Sequence, residues 1–507
     1  MLNVNNNAYV LKQEILVRIA KLQLAGRLAD EVHYIPRNMI PAGSPSIRCC
    51  VYHDREIIRN RVLARLGFSV EDIEEEKPLS DCAREALSRE RPTWPMLTFL
   101  NEACNGCVKT QYLPTNACQA CLARPCKMNC PKQAIEIYDR RAHIDPDKCI
   151  KCGLCLQNCP YHAIVKIPIP CEEACPVGAI TRNEETGHEQ IDYDKCIFCG
   201  KCMSSCPFSA VMDKSQLVDV IKHIMNGKKV VAMYAPAIGA QFKGSKPGQL
   251  EGALLAAGFS GVWEVAIGAD ITADKEAAEF AERMARGDKM MTTSCCPAYV
   301  RAVQIYAPEL KECISETKSP MIYTAELAKK ADPDCISVFI GPCLAKRREG
   351  FDSELVDYVL SVEEINALFT AKEIDITKME ARPGKYNPTV SGRNFAKTGG
   401  VAESVKIRLK DDSTLRPVVI DGLDKDGIKN LQNYGKINAG IAPCPDDCPN
   451  LIEVMACDGG CIAGPSVIMN PKTGAALLSI YANAGSKELV DGIPPKCSMT
   501  DIIEGGK

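Results

Sequence analysis

The pattern of apolar and polar positions divides the chain into three regions. In the first, apolar residues recur at helical spacing over residues 11–28 and 54–66, and Gly67 ends the second run. Between about residues 96 and 210 the apolar runs become short and lie among Cys, Pro and Gly. Such a segment has too little periodic apolar surface to organise itself, so we expect bound metal to organise it.

After residue 210 the pattern is typical of a layered α/β domain. The predicted strands cover residues 230–234, 261–267, 335–340 and 437–441. The predicted helices cover residues 216–225, 249–257, 275–285, 320–330 and 363–368. The sequence therefore predicts a helical N-terminal domain over residues 1–95, a cysteine-rich region over 96–210 and an α/β domain over 211–507.

Length, charge and cysteine usage narrow the class of protein. A chain of 507 residues can bury a large core, and a net charge of −3 gives no reason to expect nucleic acid or an anionic membrane as partner. No apolar run has the length of a membrane span, and the first residues do not resemble a signal peptide. The 29 cysteines are clustered in a long chain, which favours metal ligation in a reducing compartment over a disulfide scaffold. We expect a soluble cytoplasmic protein.

Two cysteine runs have the C-x2-C-x2-C-x3-C-P spacing of bacterial 4Fe-4S ferredoxins, one starting at Cys149 and one at Cys196. Zinc ribbons share C-x2-C but need neither three converging thiolates nor the final proline, so zinc is the weaker interpretation. In two-cluster ferredoxins the fourth cysteine of each run ligates the other cluster, which makes the run starting at Cys118 the partner of the Cys149 run. The two predicted ligand sets are Cys118, Cys121, Cys126 and Cys159, and Cys149, Cys152, Cys155 and Cys130.

The run starting at Cys196 has a divided partner. The back half of a motif, Cys171-x3-Cys175-Pro, directly precedes it, and the front half, Cys104-x2-Cys107, lies before the first unit. We infer that one two-cluster ferredoxin is inserted within another. The outer ligand sets would be Cys196, Cys199, Cys202 and Cys175, and Cys104, Cys107, Cys171 and Cys206. All sixteen cysteines then form four clusters; in the alternative, Cys104 and Cys107 are bystanders and one site is incomplete.

Three later motifs carry a family resemblance. TSCCP at residues 293–297, PCLAKRRE at 342–349 and EVMACDGGC at 453–461 resemble the signatures of the iron-only (FeFe) hydrogenases, and the similarity covers roughly residues 210 to 480. It implies an α/β catalytic domain with two lobes around a buried H-cluster, preceded by ferredoxin-like α+β iron-sulfur domains and a helical N-terminal segment. The H-cluster is a 4Fe-4S cube joined through a cysteine sulfur to a diiron unit with CO, cyanide and azadithiolate. The implied cube ligands are Cys296, Cys343, Cys457 and Cys461, with Cys461 supplying the bridging sulfur.

Proton transfer must use groups other than histidine, because no histidine follows His223. Glu276, Glu279 and Arg283 share one face of a predicted helix, where a solvated charged surface would be the ordinary explanation. The resemblance instead places these three and Ser315 on a proton path. It ends at Cys295, the thiol that ligates no metal.

The resemblance also implies the residues that surround the diiron unit. Lys346 would donate charge-assisted hydrogen bonds to a cyanide nitrogen, and Glu349 would pair with Lys346 or a nearby basic group. Met321 stands where some members have Gln, and Gly341 where many have Met, which resembles a divergent branch of monomeric hydrogenases. The other implied pocket residues are Pro236 and Ala237 beside the second cyanide and the apolar walls Phe395 and Met455.

The expected function is reversible formation of hydrogen from two protons and two electrons, as in a ferredoxin hydrogenase. Ferredoxin or flavodoxin would exchange the electrons, and maturation proteins would supply the diiron site. Two alternatives stay open: a low-turnover hydrogen sensor, and a non-catalytic relative in iron-sulfur cluster assembly, which should lack Cys295 and the proton path. Cys444 and Cys448 form a spare pair with ligand-like spacing but have no further unassigned Cys or His nearby, which disfavours another metal site.

Overall fold

The structure is a computed structural model that describes residues 6–74, 76–107, 111–382, 387–444 and 447–486. The beginning of the predicted helical domain, residues 1–5, and the end of the predicted catalytic domain, residues 487–507, lie outside the described residues. No helix among the described residues is long and apolar enough to cross a membrane.

The N-terminal region is helical, and both helices predicted from the apolar pattern are present. Asn6 starts the first helix by accepting the N–H of Tyr9 at 2.9 Å. Leu16 and Ala20 of this helix are buried in the core of the α/β region, so the N-terminal region shares its hydrophobic core with the rest of the protein. Its helices are α1 (Asn7–Leu24), α2 (Leu28–Glu31), α3 (Ile35–Met39), α4 (Val51–Arg65) and α5 (Leu79–Ser88).

The cysteine-rich region consists of short antiparallel strand pairs and single-turn helices. The elements are β1 (Leu97–Phe99), β2 (Gln111–Pro114), α6 (Pro125–Met128), β3 (Ile135–Tyr138), β4 (Arg141–Ile144), α7 (Leu154–Gln157), β5 (Ile164–Ile167), α8 (Pro170–Ala174), β6 (Ile180–Arg182), β7 (Glu189–Ile191), α9 (Lys201–Ser205) and β8 (Val211–Asp213). Strand β1 pairs with β8, and inside that pair β2 pairs with β5 around the β3–β4 hairpin. This enclosed pairing has the topology expected of one unit inserted within another.

The α/β region contains two parallel sheets. Its strands are β9 (Val230–Tyr234), β10 (Gly261–Glu264), β11 (Met291–Thr292), β12 (Ile336–Ile340), β13 (Tyr358–Leu360), β14 (Pro417–Asp421) and β15 (Leu451–Met455). Its helices are α10 (Leu217–Met225), α11 (Gln249–Ala256), α12 (Ala266–Arg286), α13 (Pro297–Tyr306), α14 (Pro320–Ala331), α15 (Ala345–Phe351), α16 (Val362–Ala371), α17 (Val390–Asn394), α18 (Gly400–Arg408), α19 (Lys425–Asn438) and α20 (Pro471–Ala482). One sheet has the order β10-β9-β12-β13 and the other β11-β15-β14.

Three sequence predictions in this region need correction. The strand predicted over 261–267 ends at Glu264, and Ala266 and Ile267 already belong to α12. The strand predicted over residues 437–441 is wrong: α19 continues to Asn438, and a turn follows in which Gly440 has a φ of 72°. Ile437 and Ile441 are four residues apart, a helical spacing, and Ile441 is 70% exposed. The helix predicted over 275–285 is only the second half of α12. Residues 266–273 at the start of α12 are all buried. A helix segment buried on every side has no alternation of apolar and polar faces by which the sequence could reveal it.

Candidate metal centre and active site

The residues of the three late motifs follow the carboxyl ends of parallel strands. Cys295 and Cys296 follow β11, Cys343 follows β12, and Cys457 follows β15. Strands β11 and β15 pair in parallel, with Thr292 opposite Ile452, so the loops after them leave the sheet side by side. In α/β folds this edge of a sheet is where ligands bind.

A glycine turn brings the fourth cysteine, Cys461, back toward the other three. Gly459 and Gly460 have φ values of 91° and 87°, a region that glycine adopts without strain. A Cβ on Gly460 would lie 2.7 Å from the backbone nitrogen of Thr398, so the loop can approach this neighbour only without a side chain.

The four predicted cube ligands lie together. Burial raises the pKa of Cys457 well above its ordinary value, and the neighbouring thiolates of Cys343, Cys461 and Cys296 raise it further. Among the described residues no group of three or more Cys, His, Asp or Glu side chains could hold a single metal ion. Thiols that are neighbours but do not converge on one point suit a polynuclear cluster, whose iron atoms each take one thiolate.

An apolar cavity lies beside these cysteines. Met321, Phe395 and Met455 are buried in its wall, as expected for residues that exclude water from a metal. The cavity includes most predicted pocket residues, but Glu349 and Cys457 are not among its lining. The predicted residues that line it are Pro236, Ala237, Cys295, Cys296, Met321, Cys343, Lys346, Phe395, Met455 and Cys461.

Lys346 brings a positive charge to the wall of this cavity. Its Nζ donates to Glu349 Oε2 at 2.5 Å and to Ser319 Oγ at 3.0 Å. Burial alone would lower the pKa of Lys346, but the Glu349 carboxylate holds that pKa above its ordinary value. An ammonium group has three N–H donors, so one remains for an anionic ligand in the cavity.

Cys295 lines the same cavity and stays protonated there. Burial raises the pKa of its thiol well above the ordinary value, and the charge of Glu276 adds to the rise. Glu276 itself is fully buried, which raises its pKa to about 8. Its Oε1 accepts the backbone N–H of Ser294 at 3.1 Å, while its Oε2 has no hydrogen-bond partner among the described residues. A carboxyl group with such a pKa can both hold and release a proton near neutral pH.

Glu279 lies one turn further along α12, nearer to solvent. It accepts the hydroxyl of Ser315 at 2.6 Å and that of Thr317 at 3.1 Å. Arg283 donates to Glu279 Oε1 at 2.8 Å and to the carbonyl oxygens of Glu312 and Ile314. The predicted set Glu279, Ser315 and Arg283 is thus brought into direct contact.

The two glutamates are not joined through Ser315 alone. In the described chain no hydrogen bond joins Ser315 to Glu276. Ser294, whose role the sequence did not reveal, lies between the two halves of the path and donates its hydroxyl to the carbonyl of Thr317 at 2.6 Å. Its Oγ is also 3.4 Å from Glu276 Oε1.

Two more residues of the site were missed at the level of sequence. The buried Glu453, within the third motif, accepts the N–H groups of Gly399 and Ala402 at 2.8 and 2.7 Å. Burial raises its pKa to about 7, and its charge acts on both Cys295 and Glu276. Its place in the motif was the only available signal.

Phe339 explains the glycine at position 341. A Cβ on Gly341 would lie 2.6 Å from the Phe339 ring, which lines the cavity. The phenyl group thus fills space that a longer side chain at 341 would need. In the sequence Phe339 has the pattern of an ordinary strand residue. Its contact with the space beside Gly341 could therefore not be predicted from the sequence.

The cysteines of the inserted unit also have close neighbours. Burial raises the pKa of Cys126, and the charges of Cys159, Cys121 and Cys118 raise it further. In the second set, Cys149 and Cys152 act on Cys155 in the same way. Cys130 is packed in the same small core as Cys126 and Cys155.

The cysteines of the two outer ligand sets lie close to one another, although the inserted unit separates some of them in sequence. Besides burial, the thiolates of Cys206 and Cys107 raise the pKa of Cys171. Cys104 and Cys206 act likewise on Cys107. The other outer set is similarly coupled: its members Cys196, Cys199 and Cys175 all act on Cys202. Cys206 therefore neighbours cysteines from before the insertion, as the nested interpretation requires.

Cys444 and Cys448, the spare pair, are joined in a disulfide. Neither sulfur of the disulfide is free to ligate metal. The bridge spans five residues in the loop that precedes β15.

Family models match two segments of the cysteine-rich region and most of the α/β region. The "Iron only hydrogenase large subunit, C-terminal domain" matches residues 228–465, a "4Fe-4S dicluster domain" matches 170–210, and a "4Fe-4S binding domain" matches 142–165. The cavity and its cysteines lie within the first match. The residues present fit an H-cluster: four neighbouring thiols lie at an apolar cavity that is lined by a fifth thiol, Cys295, and by the ammonium group of Lys346.

The chain is also similar to three whole proteins. The chain is 33% identical to the periplasmic Fe hydrogenase large subunit of Nitratidesulfovibrio vulgaris over 63% of its own length and 85% of the relative. It is 29% identical to iron hydrogenase 1 of Clostridium pasteurianum over 69% of each chain. A weaker similarity, 25% identity over 40% of this chain and 57% of the relative, joins it to the cytosolic Fe-S cluster assembly factor NAR1 of Eremothecium gossypii. The chain belongs to the iron-only (FeFe) hydrogenase family, whose catalytic domain it combines with ferredoxin-type 4Fe-4S domains.

Proposed function

We propose that this protein catalyses reversible formation of hydrogen from two protons and two electrons. Cys296, Cys343, Cys457 and Cys461 would hold the cube of the H-cluster, and the cavity beside them would hold the diiron unit between two lobes, one built on each sheet. The observation that carries the proposal is the position of Cys295 and Lys346. A protonated thiol and a buried ammonium group both line an apolar cavity next to the predicted cube ligands.

The H-cluster, when bound, supplies the redox centre at which protons and electrons combine. The protein would supply protons through Cys295, because the raised pKa keeps a hydrogen on its sulfur. Glu276 would return a proton to Cys295, and Glu279 would pass protons inward from the surface near Arg283. A proton would cross the gap between Glu279 and Glu276 through Ser294. The hydroxyl of Ser294 can reorient between the Thr317 carbonyl and Glu276.

Lys346 would hold the diiron unit by its charge. Its remaining N–H would donate to a cyanide nitrogen, and a buried ammonium favours an anionic acceptor over an apolar one. Glu349 would keep Lys346 protonated and oriented. Pro236 and Ala237, at the end of β9, would line the side of the second cyanide.

Electrons would travel through four accessory 4Fe-4S clusters in the nested ferredoxin units of residues 96–210. Cys199, in the predicted set with Cys196, Cys202 and Cys175, acts electrostatically on Cys457. The cluster of this set would therefore lie next to the H-cluster. Ferredoxin or flavodoxin would be the external carrier, in the cytoplasm, and maturation proteins would insert the diiron unit. The helical residues 1–95 would form a domain packed against the catalytic domain of residues 211–507.

Infrared spectra and one substitution test this function. Anaerobically matured protein should show CO and cyanide bands and evolve hydrogen with a reduced viologen. Cys295→Ala should keep the iron content and these bands but lose nearly all turnover, because it removes a proton donor and no ligand. Cys335→Ala, a buried cysteine far from the cavity lining, is the matched control and should remain active.

The same experiment separates the alternatives. A non-catalytic assembly relative would show no CO or cyanide bands after maturation. A hydrogen sensor would show the bands but turn over slowly with viologen in the unmodified protein. Near-normal turnover of Cys295→Ala would contradict the proton role of this thiol.

A further inference from the structure

The inserted ferredoxin unit differs in charge from its surroundings. Residues 111–167 contain eight Lys and Arg against four Asp and Glu, a net charge of +4. The following residues, 168–210, contain three Lys and Arg against seven Asp and Glu, a net charge of −4, and the whole chain has −3. The positive charge is therefore concentrated on the inserted unit, which the pairing of β1 with β8 encloses in sequence.

One loop of this unit exposes a predicted cluster ligand. Of the twenty cysteines predicted to ligate iron, all of which are described, only Cys152 is classed as exposed. Ile150 and Leu154 flank it and are 54% and 37% exposed. Lys148 and Lys151 lie in the same loop and are exposed, as is Asp147. Together Lys148, Ile150, Lys151, Cys152 and Leu154 are called the Cys152 patch below.

The chemistry of the patch suits a protein surface of opposite charge. Lys148 lies 3.3 Å from Asp145, an exposed pair of little energetic value, and Lys151 makes no ion pair within the described residues. The net charge of +4 on the whole unit outweighs the exposed Asp147 of the same loop. Exposed apolar side chains on a positively charged unit are typical of a docking site in which charge steers the partner and apolar contact holds it. Electron transfer further requires that the partner's redox centre come close to the cluster, and an exposed ligand permits this.

We propose that the Cys152 patch is the docking site of an acidic redox carrier protein, and that electrons enter the chain at the cluster of Cys149, Cys152, Cys155 and Cys130. The proposal rests on the proposed function, because it names the partner surface for the same electron route. The carrier presents Asp and Glu around its own redox centre. An apolar contact with Ile150 and Leu154 completes the interface.

The test compares charge reversal at the patch with an equal reversal elsewhere. The patch variant is Lys148→Glu with Lys151→Glu. The control is Lys378→Glu with Lys429→Glu, two exposed lysines that, like Lys148, pair with an aspartate three residues earlier. Both variants change the net charge by the same amount. Hydrogen evolution is measured with a reduced acidic 4Fe-4S ferredoxin and with reduced methyl viologen, at low and high salt.

The patch variant should raise the KM for the ferredoxin by about tenfold or more at low salt, with a smaller effect at high salt because ions screen the pair. Its viologen rate and the control's KM should equal those of the unmodified protein. Ile150→Ser should weaken ferredoxin binding without changing its salt dependence. An unchanged KM, or an equal rise in the control, would overturn the proposal.

Failure of the docking site can be distinguished from failure of the catalytic function. If the unmodified protein has no viologen activity, the proposed function fails, and docking is then measured by calorimetric titration of the oxidised proteins. Binding that the patch variant loses and the control keeps supports the docking site. Equal binding of both variants, or no binding of the unmodified protein, contradicts it.

Discussion

Glu279 is the residue through which the outer part of the proton path can be tested. Its carboxylate accepts two hydroxyl groups and the Arg283 guanidinium. Glu279→Gln keeps the shape of the side chain, but an amide cannot accept and release a proton as a carboxylate does. Turnover should fall at least about tenfold in both directions, while reduction of the clusters by a carrier remains unchanged.

Glu282 is the control for this substitution, because it is an exposed glutamate on the same helix. Glu282→Gln should leave hydrogen production within about twofold of the unmodified protein. If it proves as damaging as Glu279→Gln, the effect is general electrostatics of α12 and the path is wrong.

The raised pKa of Glu276 leads to a second prediction, which concerns how the free energy of unfolding depends on pH. Burial raises its pKa from the ordinary 4.5 to about 8, so the folded protein binds this proton more tightly than the unfolded chain. The stabilising contribution is complete below about pH 4.5 and is lost as the pH rises to about 8, at about 1.4 kcal/mol per pH unit for one proton. Glu276→Gln does not titrate and should escape this loss.

Anaerobic urea unfolding at about pH 6 and about pH 8 measures the difference. Between the two, the free energy of unfolding of Glu276→Gln should gain up to roughly 3 kcal/mol relative to the unmodified protein. A difference that stays constant across this range would show that Glu276 is not held as a neutral acid.

The residues of this path show what a helical period can and cannot predict. Spacing places Glu276, Glu279 and Arg283 on one face of the helix, but only the family resemblance distinguishes a proton path from an ordinary solvated surface. Ser294 and Thr317 join the path only because the loop after Ile314 packs against α12. That contact depends on Arg283 binding the Glu312 and Ile314 carbonyls, a long-range pairing without a local signal.

At the scale of elements, a chain of buried charges joins the N-terminal region to the catalytic region. Arg65 of α4, fully buried, donates to Asp213 of β8 at 2.9 Å, and Asp213 accepts Arg347 of α15 at 2.9 Å. Arg347 also donates to Glu364 of α16 at 2.5 Å. Although burial opposes ionisation, Arg65 and Arg347 hold the pKa of Asp213 below its ordinary range.

Arg65→Met should therefore destabilise the protein strongly. Removing one partner of a buried ion pair typically costs 3–5 kcal/mol, roughly, because the remaining charge stays buried. Arg27→Met removes a pair that is 59% exposed on the arginine side and should cost less than about 1 kcal/mol. Thermal unfolding under anaerobic conditions compares the two. Equal small losses would mean that the buried ion pairs of Arg65 contribute little to the free energy of unfolding.

Some strands could be predicted from the sequence and others could not. Strands β9 and β12 are short runs that are apolar except for Ser337 in β12, and their pattern was sufficient to predict them. β15 was missed although all five of its residues are buried, because it contains the charged Glu453 and overlaps a cysteine motif. β14 begins with Pro417 and is largely exposed, so neither period nor composition indicated it.

At the scale of the whole molecule, cysteine spacing was the strongest signal, because ferredoxin-type runs place their cysteines at fixed short intervals. The nesting of the two ferredoxin units followed from counting, and the pairing of β1 with β8 around β2 and β5 agrees with it. Spacing could not show which predicted cluster reaches the surface, because exposure depends on how the units pack.

The nested arrangement predicts how two distant cysteines behave together. Cys104 and Cys206 would ligate the same cluster, although the insertion separates them and Cys206 directly follows the Cys196 run. Cys104→Ala and Cys206→Ala should each disturb one and the same paramagnetic signal. The double variant should lose little beyond either single variant, because the cluster is already damaged. Two unrelated sites would give additive losses.

Anaerobic iron analysis and electron paramagnetic resonance measure this coupling in protein made without the diiron maturation proteins. The unmodified chain should hold about five cubes, four accessory clusters and the cube of the H-cluster. Cys82→Ala is the control, since this buried thiol lies in the N-terminal core away from the predicted ligands. In a consecutive arrangement Cys206 would join Cys196, Cys199 and Cys202, and its loss would alter a different signal from that of Cys104. The separate loss of two signals would therefore replace the nested units with consecutive ones and change the order of clusters along the electron route.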